Sequence, residues 1–202
     1  MRVSDLIHCR NFPCTDINSR NYIIPDIDLK PDSIRLVMIS EAAPNDPRDY
    51  YYANENPLYQ TNTVQAFGFG GLSHTTFQEL LNRGFYFTTA VKCGKIDYGI
   101  KAGTIKECSL LLEEELNLFP NVKVLMLMGD VAIKSINYIA KRLGEPRPVP
   151  AGSTYKIRSG EFFFRGARVF PSYMQVGPSF GIEKSKQQMI GEDIAKALKI
   201  IG

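Results

Sequence analysis

Fully apolar runs alternate along this chain with segments of helical period, and that alternation sets the expected fold. Residues 34–39, apolar but for Arg35, form a run that exits on Ser40 and Glu41, the pattern of a strand covered on both faces. Phe77–Asn82 has helical spacing, and Gly84 just beyond it predicts a left-handed cap. Residues 85–91, rich in aromatic and β-branched side chains, predict a second strand. A helix is expected over 104–118, a third apolar strand over 122–128, and a helix from the Gly129-Asp130 turn to about Arg142, with Asp130 as its N-cap. The proline- and glycine-rich stretch 144–152 reads as a loop. Two short strands are expected at 155–158 and 161–165, a fourth core strand at 168–170, and a closing helix at 182–200. This order predicts an α/β fold: a single three-layer domain over 1–202, with a central, mostly parallel four-stranded sheet flanked by helices.

Sheets of this kind bind ligands outside the C-terminal ends of their strands. The rule selects residues 40–52, 88–93, 129–130 and 171–179. Glu41, Asn45 and Asp46 supply carboxylates and an amide there, and Thr88, Thr89, Ser172, Tyr173 and Gln175 supply hydroxyls and a second amide.

Composition narrows the chemistry. The 202 residues are 44% hydrophobic, ordinary for a globular protein, and the net charge of +3 says little about partners. The first five residues lack the apolar run of a signal peptide or membrane span, so a cytoplasmic monomer without membrane association is expected. Lys92, Lys95, Lys101 and Lys106 gather around two of the cysteines, and Lys184 and Lys186 open the last helix. Such clusters suit an anionic partner or a solvated face.

The chain has four cysteines, Cys9 and Cys14 with four residues between them, and Cys93 and Cys108 with fourteen. In a reducing compartment, paired spacing points to a metal or iron–sulfur site more than to disulfides. Zinc ribbons prefer two tight pairs, and the long second spacing suits a [4Fe–4S] cluster better. Zinc and unmetallated core thiols remain alternatives. Thr104 and Glu107 read as a capping box that would put Cys108 in the first turn of its helix, where the macrodipole lowers a thiol pKa. Lys92 would help to offset thiolate charge, while Ile105, Cys108, Leu112 and Leu116 also make an ordinary apolar face. His8 and His74 read as structural, and Gly68, Gly70 and Gly71 as a tight turn without the lysine of a phosphate-binding loop.

Taken in order, these pieces resemble the iron–sulfur uracil-DNA glycosylases called family 4. The resemblance runs through the N-terminal cysteine pair, Leu36-Val37-Met38-Ile39 leading into Ser40-Glu41-Ala42-Ala43-Pro44, and Tyr86-Phe87-Thr88-Thr89-Ala90-Val91-Lys92-Cys93. It continues through Cys108, residues 125–132 with Gly129 and Ala132, then Ile157-Arg158, Gly160, Gly166 and Val169-Phe170-Pro171. It implies a [4Fe–4S] cluster on Cys9, Cys14, Cys93 and Cys108, and a damaged-DNA partner, single- or double-stranded. It also implies hydrolysis of the N-glycosidic bond of uracil or another base flipped from DNA during base-excision repair. Glu41, Asn45 and Asp46 would face the sugar and its water. Ala42, Thr89, Met174 and Gln175 would line the base site, with Tyr59, Phe67 or Phe69 as the stacking ring, and Lys95, Lys101, Ser172 and Tyr173 would meet the DNA.

The chain also departs from the family pattern. Thr89 stands where the family has an asparagine whose amide reads uracil, and a hydroxyl with a methyl group cannot make that two-point contact. Met174 replaces the histidine of the second motif, and Gln175 is the nearest donor. The first motif has no glycine after Pro44, and the N-terminal cysteines are wider apart than the usual two-residue gap. The leading expectation is a glycosylase-like repair protein with altered base specificity. The alternatives are a non-catalytic or differently specific nucleic-acid-binding relative, and a small-molecule hydrolase or redox protein on the same sheet.

Overall fold

In the computed structural model, which describes residues 1–177 and 180–202, the N-terminal segment contributes a two-residue strand, β1 (Ile17–Asn18), ahead of the first apolar run. That run forms β2 (Leu36–Ala43), which continues through the polar Ser40 and Glu41 that were expected to end it. Then follow α1 (Leu58–Phe69), α2 (Phe77–Asn82), β3 (Phe85–Lys95), α3 (Ala102–Asn117), β4 (Val124–Met128) and α4 (Asp130–Arg142). A helical turn, α5 (Thr154–Ile157), and a hairpin of β5 (Phe162–Phe164) and β6 (Ala167–Ser172) lead to the closing helix α6 (Lys184–Ile201). The expected strand at 155–158 is therefore helical.

The sheet has six strands among the described residues, in the order β1-β3-β2-β4-β6-β5. Its middle four, β3, β2, β4 and β6, are parallel, as expected from their length and apolarity. The four-stranded reading needs correcting at both edges, where β1 and β5 add short antiparallel strands. β5 closes on Arg165 and Gly166, both at positive φ. One face of the sheet carries Val37 and Ile39 under α3 and α4, and the N-terminal segment joins that core through Val3, Ile7 and Ile24. The other face carries Leu36 and Met38 under Phe67 of α1, Leu80 of α2, and Ile190 and Ile194 of α6. Alternating side chains of one strand thus enter two cores, which is why Leu36–Ile39 of β2 and the whole of β4 read as unbroken apolar runs.

Helix α1 was not expected. It can approach α6 closely because a Cβ on Gly191 would stand 2.8 Å from the backbone oxygen of Phe69, and one on Gly70 would stand 2.4 Å from Ile194. Gly70 and Gly71 form the turn expected there, while Gly68 is helical. No helix among the described residues is long and apolar enough to cross a membrane.

Candidate metal centre and the adjoining sheet edge

Cys9 and Cys14 lie on an irregular N-terminal loop, Cys93 near the end of β3, and Cys108 in α3. All four line one cavity of about 160 Å³, with Phe12, Ile17, Tyr22 and Leu111 among its apolar walls. Phe12, at φ 41, and Pro13 bend the loop between the first two thiols, and the Phe12 ring meets Tyr22 edge-on at 5.1 Å. A bulky residue held in the left-handed region is strained, and such strain persists where the surroundings impose it. The Tyr22 hydroxyl accepts from the Cys9 amide at 3.0 Å and donates to the Ile7 carbonyl at 3.3 Å. The Lys92 amide donates to Cys108 Sγ at 3.3 Å.

Burial pushes the Cys93 thiol up to about 12, and the neighbouring charges of Cys108, Cys9 and Cys14 add to the rise. Cys108 is pushed up to about 11 by burial, against the opposing pull of the Lys92 amide and charge. Cys14 is raised mainly by burial, and the Tyr22 hydroxyl, also by burial, to about 12. Repulsion between neighbouring thiolates adds to the rise at Cys14, Cys93 and Cys108.

The donor set suits a thiolate-ligated cluster. A single zinc ion would draw every sulfur to about 2.3 Å of one point. Among the described residues no group of three or more His, Cys, Asp or Glu side chains is set to hold one metal ion, and the four thiols share the lining of one cavity. The Thr104 capping box does not form. Helix α3 begins at Ala102, the Thr104 hydroxyl and the Lys101 amide both turn to the Asp16 carboxylate, and Cys108 falls in the second turn, farther from the positive helix end than expected.

Beside this centre, β2 and β4 run in register and their connections leave in opposite directions, the switch point where α/β sheets bind ligands. Glu41 ends there. Its carboxylate pairs with Lys95 Nζ at 3.2 Å and accepts from the Val131 amide of α4 at 3.5 Å. Gly129, at φ 105, leaves room for it, since a Cβ there would stand 2.7 Å from Glu41 Oε1. Gly129, not Asp130, is the N-cap of α4. Asn45 is exposed, taking the Asn18 amide at 3.4 Å on its side chain and the Asn21 amide on its carbonyl. Asp46 caps the turn Pro47–Asp49 and is held to about 2 by hydrogen bonds from Arg48. The three polar groups of this segment thus have separate partners.

The base-site candidates divide similarly. Gln175 is fully buried, and its amide donates to the Tyr51 hydroxyl at 3.1 Å and Thr63 at 3.2 Å, and reaches Met38 Sδ at 3.1 Å. Ser40 Oγ lies 2.5 Å from the Tyr51 hydroxyl. Thr89 pairs with Ser40 across the strands and is fully buried, its hydroxyl without a partner. Tyr59 donates to the Ala42 carbonyl at 3.1 Å and meets Tyr51 edge-on, burial raising its hydroxyl. Phe67 is buried and stacks on Phe85, so it reaches no surface, and Phe69 packs on Phe180 at the far end of α1 from Tyr59. Met174 is half-buried against Gly177. Ser172 is buried and donates to Asp193 at 2.7 Å, and Tyr173 lies under Lys186. Pro178 and Ser179, the end of the expected 171–179 segment, lie outside the described residues.

Of the four clustered lysines, Lys92 is buried, Lys95 is tied to Glu41, and Lys101 and Lys106 are exposed. Tyr22, Tyr51, Thr63 and Glu115 were not singled out from sequence. Only Glu115 had a local signal, lying two helical turns beyond Cys108. No protein family matches this chain by its sequence profile, and no curated protein matches it.

Proposed function

We propose that this chain is a DNA-binding iron–sulfur protein on the uracil-DNA glycosylase plan, whose base recess is closed to uracil. The observation that carries the reading is the meeting of four cysteines from three separate parts of the chain in one cavity by the C-terminal end of β3. Cys9, Cys14, Cys93 and Cys108 would hold a [4Fe–4S] cluster. Such a cluster supplies a cross-link between distant segments and a one-electron centre.

The residues around it support binding over uracil excision. Excision needs a flipped base to find free donors and a carboxylate to face the sugar. Here the Gln175 amide is committed to Tyr51 and Thr63, Glu41 to Lys95 and α4, and Asp46 to Arg48. Exposed Arg10, Arg20, Lys101 and Lys106 lie on the segments that surround the four thiols and offer cations to phosphates.

The test is incubation of iron-replete protein with oligonucleotides carrying uracil, hypoxanthine or other damaged bases, scoring both binding and abasic sites. Binding should weaken with salt at a slope of about −0.9 per phosphate contact, and Arg20→Ala with Lys101→Ala should flatten it by roughly 2. Uracil excision should be weak or absent, since losing one donor to a developing oxyanion costs about 10²- to 10³-fold. Thr89→Asn with Met174→His should raise it. Fast uracil excision by the unaltered protein, or binding indifferent to salt, contradicts the proposal.

A further inference from the structure

Lys92 and Glu115 form an ion pair with both side chains fully buried. Its hydrogen bonding is nearly complete. Lys92 Nζ also donates to Thr88 Oγ1 at 2.7 Å, and Glu115 Oε1 accepts from the Tyr86 hydroxyl at 2.6 Å and from Thr88 at 2.8 Å. Apolar side chains of similar volume would hold two elements together as well as a buried pair does, so stability alone does not account for it. Its place in the chain suggests what does. Lys92 directly precedes Cys93 on β3, and its own amide donates to Cys108 Sγ. Glu115 lies seven residues beyond Cys108, on the same face of α3.

We infer that the Lys92–Glu115 pair is the positioning element of the four-thiol site, fixing the helix that carries Cys108 on the strand that carries Cys93 and setting the local charge that a bound cluster feels. The inference rests on the iron–sulfur reading above. Neutral as a pair, the two groups leave the cluster's charge uncompensated. Removing either one leaves a unit charge in a low-dielectric core beside it, and net charge and hydrogen bonds to sulfur tune cluster potentials.

The test is voltammetry of the full chain purified without oxygen, with iron content and circular dichroism measured on each variant. Glu115→Gln leaves the ammonium uncompensated and should raise the reduction potential. Lys92→Met leaves the carboxylate and should lower it, with faster iron loss to a chelator. Lys92→Met with Glu115→Leu keeps the volume without either charge and should return the potential towards that of the parent. It also guards against a single variant that fails to fold. Shifts of the same sign, no shift, or no redox wave from an iron-loaded parent overturns the inference. A parent without iron overturns the iron–sulfur reading and this inference with it.

Discussion

Thr89 carries a hydroxyl for which the fold provides no partner, although the side chain is wholly buried. A buried hydroxyl without a hydrogen bond costs about 1–3 kcal/mol, and an apolar group of the same shape escapes that cost. Thr89→Val should therefore stabilise the protein by on the order of 1 kcal/mol in urea unfolding. A loss of similar size would show that the hydroxyl holds a water or ligand, and would reopen the base recess. Tyr22 is the converse case, because both its bonds go to the loop that carries Cys9. Tyr22→Phe should cost about 1 kcal/mol and, with the proposed cluster bound, hasten iron release to a chelator. Unchanged release would make Tyr22 a packing residue only. At this scale the cysteines stand out in the sequence by number and spacing, and the fold brings all four to one cavity. The partners of Glu41 were not, because Lys95 lies 54 positions away and only the fold brings the two together.

Helix α2 is legible with its bounds because its spacing and its stop at Gly84, which takes φ 80 after the last turn, are local, and the structure adds a capping box of Thr76 and Glu79 at its start. The Thr76 amide and hydroxyl hold the Glu79 carboxyl below its ordinary value of 4.5. A depressed acid stabilises the fold above its unfolded pKa and loses that contribution as pH falls through its folded value. The stability difference between the parent and Glu79→Gln should thus be constant near neutral pH and shrink below pH 4.5. A difference that persists in acid would point to shape rather than charge. Helix α1 left no such trace. Its buried Thr63 and exposed Phe69 break any apolar stripe, and it is held by close contact with α6 through Gly70 and Gly191. The turn at α5 reads as a strand in sequence because four residues are too few to separate the two periods.

For the whole molecule, the parallel centre of the sheet is legible because strands covered on both faces are mostly apolar, as in Leu36–Ile39 and β4. The edges were not: β1 has two residues and no period to read, and it exists because its strand pairing ties the cysteine loop to the end of β3. That tie makes the N-terminal segment part of the four-thiol site, so binding a cluster there would couple metal affinity to folding. Cys108→Ala should then lower the thermal midpoint as well as the iron content, and loss of iron with an unchanged midpoint would separate the two. The central claim is that four distant thiols form one iron–sulfur centre. Its most direct test is iron, acid-labile sulfide and zinc measured per chain on protein purified without oxygen. A brown protein with about four irons and four sulfides is expected; one zinc, or four free thiols with no metal after iron–sulfur reconstitution, would overturn the iron–sulfur proposal.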